Sequence, residues 1–314
     1  KRKIMLSIVL PSYNESGNIK NAYIEIKKVL SQAKIPFELV YVNDGSKDDT
    51  WTRIEEIIEQ GKAELEQSRV KGVSFSRNFG KEAAILAGLA NASGEACVVM
   101  DCDMQHPPET LVEMYRLWQE GYEVVEGVKR TRGKESLVYK SSAKLFYRLM
   151  TKATGIDMSR ASDFKLMDRK VVKSILSMPE RNMFFRGLSS WVGYKKTEVE
   201  FDVREREFGT SKWSKWSLVK YAVKNIAAFS TVPMQFVTVA GGLTFIGALI
   251  LGIQTLIRYF TGHAVQGFTT VILLLLIIGS VIMTSLGIMG YYLAKIYEEV
   301  KRRPVYIISG VKES

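Results

Sequence analysis

The chain has 314 residues and a net charge of +11. That length holds one large domain with an appendage, or two modest domains. The basic balance selects anionic partners: nucleic acid, phosphorylated substrates or acidic lipid headgroups. The only cysteines are Cys97 and Cys102, which makes a disulfide framework improbable and fits a reducing compartment.

Lys1, Arg2 and Lys3 followed by the apolar run 4–10 have the outline of a signal peptide. The run is short, stops at Pro11 and has no small-residue cleavage site after it, so it predicts a buried first strand. Ile19, Ala22, Tyr23, Ile26, Val29 and Leu30 form a helical stripe. Residues 37–42 predict a strand ending in Asn43-Asp44-Gly45-Ser46. The run Ser46 to Asp49 has the form of a capping box, opening a helix that carries Trp51, Ile54, Ile57 and Ile58. A strand over 70–75, a helix over 81–92, a strand over 96–100, a helix over 108–118 and a strand over 123–126 follow. This alternation predicts an α/β domain with a mostly parallel sheet and helices on both faces. Ligands in such sheets bind beyond the carboxyl ends of the strands. The polar clusters fall at those ends: 11–15, 43–44, 76–78 and 101–103. No G-x-G-x-x-G follows the first strand, so a dinucleotide site is unsupported.

Asp101-Cys102-Asp103 directly follows the apolar residues 96–100. Two carboxylates two residues apart at a strand end can share one hard cation, Mg²⁺ or Mn²⁺, together with substrate phosphates. Gln105 and His106 can complete the ligand shell, directly or through water. A lone D-x-D is a weak signal, because a solvated turn explains most instances.

The C-terminal third is written for another solvent. Residues 232–257 and 264–294 carry no charged side chain, and each run exceeds the ~20 residues that span a bilayer as a helix. Lys212, Lys215, Lys220 and Lys224 precede the first run. Lys295, Lys301, Arg302 and Arg303 follow the second, whereas the connector holds only Arg258 and His263. The positive-inside rule puts both flanks in the cytoplasm. Gly241, Gly242, Gly247, Gly252, Gly279, Gly287 and Gly290 predict close approach of the two helices, and a homo-oligomer packed through the spans is compatible with them. Residues 213–229 interleave Trp213, Trp216, Leu218 and Val219 with lysines, the pattern of an amphipathic interface helix.

Between the halves, Lys129, Arg130, Arg132, Lys134, Lys140, Lys144 and Arg148 are interleaved with aromatic and aliphatic residues. Such a stretch can bind nucleic acid or anionic lipid. The adjacent spans favour lipid and exclude nucleic acid as the expected partner.

The motifs Pro11-Ser12-Tyr13-Asn14-Glu15, Asn43-Asp44-Gly45-Ser46, Ser76-Arg77-Asn78-Phe79-Gly80-Lys81 and Asp101-Cys102-Asp103-Met104-Gln105-His106-Pro107-Pro108-Glu109 resemble family-two glycosyltransferases of the GT-A fold. The similarity is closer to the polyprenyl-phosphate branch, the bactoprenol glucosyltransferases and dolichyl-phosphate mannose synthases. It continues through 161–169 and 206–213, and covers nearly the whole chain. The resemblance implies that Pro11, Tyr13, Glu15 and Asp44 hold the nucleoside, with Tyr13 on the base. Arg77 and Lys81 face the diphosphate, and Asp101 serves both the nucleotide-sugar and the metal. Asp101, Asp103 and Gln105 hold Mg²⁺ or Mn²⁺, and Asp103 and Asp163 are catalytic. Arg130 and Lys140 hold the acceptor phosphate, although the family commonly has Arg where this chain has Lys140; Arg206 and Lys212 flank a loop expected to reach the acceptor phosphate or close over the donor diphosphate. Asp163 is often called the base in related inverting enzymes. A phosphate acceptor is already an anion, so Asp163 can instead orient the sugar or stabilise a cationic anomeric centre.

The expected organisation is a cytoplasmic catalytic domain over 1–203, an amphipathic juxtamembrane segment over 204–231, a transmembrane hairpin over 232–296 and a cytoplasmic tail over 297–314. The expected reaction moves a hexose from a nucleotide-sugar donor to undecaprenyl or another polyprenyl phosphate at an inner or plasma membrane. UDP-glucose is the first choice of donor, ahead of UDP-N-acetylglucosamine, UDP-galactose and GDP-mannose. The alternatives are a processive polysaccharide synthase and a non-catalytic nucleotide-sugar-binding scaffold. Processive enzymes usually carry Gln-x-x-Arg-Trp, and the nearest segment here, 186–191, does not match it.

Overall fold

The computed structural model describes residues 5–63, 68–130, 162–178, 184–204, 232–261 and 267–314. The chain divides into two compact units, one of residues 1–218 with 303–314 and the other of residues 219–302.

The first unit is built on one eight-stranded sheet. Its strands are β1 (Leu6–Ser12), β2 (Phe37–Asn43), β3 (Ser68–Phe75), β4 (Ala96–Val99), β5 (Val124–Lys129), β6 (Lys165–Asp168), β7 (Lys196–Phe201) and β8 (Ile308–Glu313), in the order β7-β5-β6-β4-β1-β2-β3-β8. The parallel block β3-β2-β1-β4 is the part that the apolar runs predict. β2 and β4 are buried along their length, and β1 at all but Pro11, because helices cover both faces. Leu6, Ile8 and Leu10 face a core shared with α1 (Ser16–Gln32), α2 (Thr50–Ala63) and α4 (Glu109–Gln119). Val9, Val40 and Val42 face a second core with α3 (Lys81–Asn91) and α5 (Arg169–Leu176). The two-residue period of the strands divides the faces. Each fully buried Leu or Ile side chain contributes about 1.5–3 kcal/mol.

The sheet is mixed beyond that block. β6 runs antiparallel to both β4 and β5, while β7 is parallel to β5. Neither β6 nor β7 is predicted above, and β5 runs to Lys129 rather than ending at residue 126. β7 alternates charged and partly buried side chains, as an edge strand does. A second difference concerns the chain end. Residues 308–313, assigned above to a tail, form β8 and pair antiparallel with β3. This covers the edge of β3. A short helix, α6 (Phe185–Trp191), completes the unit.

α3 lies close on β1. A Cβ added to Gly88 would stand 2.2 Å from Val9 Cγ1, so glycine is required for that approach. α2 begins at Thr50, and its first turn is capped by Asp48, which accepts from the Thr50 N–H at 3.1 Å. Ser46, expected to act as the cap, instead accepts from the Asn14 N–H.

The second unit holds α7 (Val232–Phe260) and α8 (Phe268–Val300), the only described elements within it. Both are long and apolar enough to cross a membrane, over Val237–Arg258 and Leu274–Val300, and neither stretch is buried. The seven glycines do not sit at a tight contact between them. A Cβ added to any of the seven would meet no neighbour within 4 Å among the described residues.

Candidate active site

β1 lies between β2 and β4, and the loops beyond the carboxyl ends of these strands carry the predicted residues. The loop after β1 is stitched to the loop after β2. Asn14, at φ 54, donates its N–H to Ser46 Oγ at 3.0 Å and accepts the Lys47 N–H at 2.9 Å. The Glu15 N–H reaches Thr50 Oγ1 at 2.9 Å, and the Glu15 carboxylate accepts from Asn18 at 2.6 Å. Pro11 is half-buried at the end of β1, and Tyr13 is 38% exposed beyond it. Asp44 is buried and accepts the Phe79 and Gly80 N–H groups at 2.6 and 2.9 Å. Burial pushes its carboxyl up, against the opposing pull of those two donors. Asp44 therefore shapes the 76–80 loop. Arg77 lies over the Phe79 ring at 4.2 Å.

A cluster of charged side chains lies where α3 meets the end of β4. Lys81 opens α3, with its Nζ 2.7 Å from Asp101 and 3.0 Å from Asp163. Arg186, on α6, grips the other side of Asp163. Its Nε and Nη2 donate to the two carboxylate oxygens at 2.7 and 2.9 Å. Burial alone would push the Asp163 carboxyl up, but the Lys81 and Arg186 cations override it and hold the group far below the usual carboxylate range. The same balance lowers Asp101: burial raises it and Lys81 outweighs that. Lys81 is raised, burial being overcome by Asp101 and Asp163. Neighbouring Glu82 accepts the Phe185 N–H at 2.9 Å, and burial with the nearby Asp163 charge raises it to about 7.

The turn bearing Asp163 is fixed from below. The Ser162 N–H donates to Glu126 Oε1 at 2.8 Å, and Glu126 pairs with buried Lys165 at 3.1 Å. Lys165 also donates to Ser189 Oγ of α6 at 2.7 Å.

Asp103 is half-buried and accepts the Gln105 N–H at 3.2 Å. Among the described residues no three His, Cys, Asp or Glu side chains converge into a metal cage. Two carboxylates and an amide fit a hard cation whose other ligands are diphosphate oxygens and water, so Asp101, Asp103 and Gln105 suit a divalent metal. His106 is buried beside this turn. Its buried ring stacks on Phe164 at 4.6 Å and meets Phe201 edge-on at 5.4 Å. Burial lowers its pKa, and its Nδ1 has no hydrogen bond among the described residues.

The structure thus brings Lys81, Asp101 and Asp163 into one cluster, with Asp103 and Gln105 on the adjoining turn. Arg130 stands apart, paired with Asp202 at 3.3 Å and Glu200 at 3.6 Å. Lys140, Arg206 and Lys212, and the amphipathic segment 213–229, lie outside the described residues. Sequence reasoning missed Arg186 and Glu82. Arg186 lies 23 residues from Asp163 in the segment weighed only against Gln-x-x-Arg-Trp, and Glu82 reads as an ordinary first-turn acid.

Residues 7–176 match the family model for Glycosyl transferase family 2. An uncharacterized glycosyltransferase of Bacillus subtilis is 41% identical over 309 residues, 98% of this chain and 94% of the relative. An uncharacterized glycosyltransferase of Synechocystis sp. is 39% identical over 310 residues, 98% and 96% of the two chains. The bactoprenol glucosyl transferase of Shigella phage SfV is 34% identical over 313 residues, 98% and 99% of the two chains. With a match to more than half of its length and relatives that it covers almost end to end, the chain belongs to glycosyltransferase family 2 and is a glycosyltransferase.

Proposed function

We propose that this glycosyltransferase moves a hexose from a nucleotide-sugar to a polyprenyl phosphate, with UDP-glucose as donor and with inversion at the anomeric carbon. The likeness to the Shigella phage enzyme, named for a bactoprenol acceptor, supports the acceptor class. The observation that carries the chemistry is the Asp163 carboxylate held between Lys81 and Arg186. A group held so far below the usual range is a poor proton acceptor, because a general base works best with a pKa near the operating pH. The site therefore suits an acceptor that arrives already ionised, as a phosphate monoester does.

A phosphate oxygen of the acceptor attacks C1 of the sugar, and the bond from C1 to the diphosphate oxygen breaks on the opposite face. The products are polyprenyl phosphate hexose and nucleoside diphosphate. Asp163 faces the positive charge that develops at C1. Lys81, from the first turn of α3, faces the leaving diphosphate, and Asp101, Asp103 and Gln105 would hold a divalent cation. Such a cation, Mg²⁺ or Mn²⁺, would neutralise charge developing on the leaving group. Tyr13 and Glu15 offer a ring and a carboxylate to the nucleoside, with Pro11 and Asp44 shaping the adjoining loops. Arg77 adds positive charge beside the diphosphate. Arg130, Lys140, Arg206 and Lys212 are the cations for the acceptor phosphate. Arg130 would exchange Glu200 and Asp202 for that phosphate.

The hairpin over 232–296 would anchor the enzyme where a lipid acceptor lives, with the segment 204–231 at the interface. The basic flanks of the two apolar runs support a cytoplasmic catalytic domain. An even number of crossings also returns the chain to the side it left, the condition for residues 308–313 to pair with β3.

The test is transfer by the purified full-length protein in detergent, with undecaprenyl phosphate, Mn²⁺ or Mg²⁺ and a panel of labelled nucleotide-sugars. One monoglycosyl lipid, formed from UDP-glucose and lost on chelation, is expected. Label growing into a polymer, or folded protein that labels no lipid, would overturn the proposal.

A further inference from the structure

Asp163 is reached by two routes from a single helical turn. The first is direct, from Lys81 at 3.0 Å. The second starts at the next residue. Glu82 accepts the N–H of Phe185, the first residue of α6, at 2.9 Å. The following residue, Arg186, forks the Asp163 carboxylate. α6 has 7 residues, too few to hold a helix by its own hydrogen bonds, so its place depends on what ties it down. Near its far end the tie is Lys165 to Ser189. At its start Glu82 is a polar tie among the described residues, beside the buried Phe185 ring, over which Lys165 Nζ also lies at 5.5 Å.

We propose that Glu82 is a positioning residue for sugar transfer: it holds the start of α6, and through it Arg186, so that the guanidinium keeps Asp163 at the site. This rests on the reading of Asp163 as the carboxylate that faces the sugar. The tie needs an acceptor oxygen and no negative charge, because the Phe185 N–H is satisfied equally by an ionised carboxylate, a neutral acid or an amide oxygen. The pKa of Glu82 near 7 agrees with such a tolerance. Glutamine should therefore replace Glu82 and alanine should not.

The experiment compares Glu82→Gln, Glu82→Ala, Arg186→Ala and the double Glu82→Ala/Arg186→Ala variant, full length in detergent, with turnover taken per folded protein. Glu82→Ala should lower kcat about tenfold to a hundredfold, the scale of a misplaced catalytic group, with little change in donor KM. Glu82→Gln should restore most of the rate. In the Arg186→Ala background, removing Glu82 should cost little more, because residues acting through one another are not additive. Losses that multiply independently, or a Glu82→Gln variant as slow as Glu82→Ala, would overturn the proposal. Hydrogen exchange needs no turnover and so separates this inference from the reading of the reaction. Glu82→Ala should speed exchange over 185–188 of α6 and spare α3, and unchanged exchange over 185–188 overturns the tie even if no transfer is found.

Discussion

Arg186 holds Asp163 by two parallel hydrogen bonds, Nε to Oδ1 at 2.7 Å and Nη2 to Oδ2 at 2.9 Å. A bidentate fork is the strongest pairing available to a carboxylate from one side chain. Lys81 adds a second cation at 3.0 Å. The result is a carboxylate held ionised far below the usual carboxylate range. Asp163→Asn should lower kcat by about a hundredfold or more, the scale of a lost electrostatic contact to the transition state. Raising the pH should not restore the rate. Because the folded-state pKa is depressed, the stability contributed by Asp163 is complete above its unfolded value and lost only as pH falls through the folded value. Any acid limb in the rate above about pH 5 should then follow the phosphate acceptor, whose second ionisation lies near 6. Rate profiles with acceptors of different phosphate pKa decide this: a limb that ignores the acceptor would assign it to the protein.

Gly45 sits at φ +61, where a Cβ would stand 2.3 Å from the Arg77 carbonyl carbon and 2.6 Å from the Asn78 nitrogen. Both neighbours are backbone, so neither can rotate away. Gly45→Ala should cost about 1–3 kcal/mol of stability. It should also weaken nucleoside diphosphate binding, since it pushes on the loop that Asp44 shapes through Phe79 and Gly80. Chemical denaturation and a nucleotide titration check the two effects. Unchanged binding in a destabilised variant would separate this loop from the donor.

Tyr306 stacks on Phe75 with ring centroids 5.1 Å apart, and the Ser76 N–H donates to the Ile307 carbonyl at 3.0 Å. The end of the chain thus backs the loop that leads to Lys81. Truncation after residue 303 should lower the melting temperature, expose the edge of β3 to association and weaken donor binding. Tyr306→Ala should do the same more mildly, at about 0.5–3 kcal/mol. Thermal unfolding and light scattering of the full-length and truncated proteins measure this. A truncated protein as stable as the parent would show that β8 is dispensable.

Glu82 has a folded pKa raised to about 7. Folding therefore binds a proton between its unfolded value and about 7, and its contribution to stability falls as pH rises through that window. Above it, the native state holds a half-buried carboxylate beside Asp163. Glu82→Gln removes that charge, so it should raise the melting temperature at pH 8 and have little effect at pH 5. Melting curves of both proteins across that range decide it, and equal shifts at both ends would show that Glu82 does not titrate there.

The central sheet was legible because its cause is local. Apolar runs at 6–10, 37–42 and 96–99, broken only by Ser7 and Glu38, mark strands buried on both faces, and polar turns mark where ligands can reach them. The same local logic put Asp101, Asp103 and the 76–81 loop just beyond strand ends, where the structure has them. It failed at β6 and β7, whose short or charged segments resemble loops until a neighbouring strand pairs with them. It failed also at 308–313, which reads as a tail because its partner β3 lies more than two hundred residues earlier in the chain.

The amino-acid order by itself determined the alternation of strands and helices, the carboxylates at strand ends, and two apolar helices of membrane-spanning length, because each of these is a property of neighbouring residues. Only the tertiary structure decided that Lys81, Asp101, Asp163 and Arg186 meet, that Glu82 bonds the first residue of the helix carrying Arg186, and that residues 308–313 pair with β3. Those contacts join segments far apart in the chain, and they are set by the packing of α3 and α6 against the sheet, which no local spacing encodes.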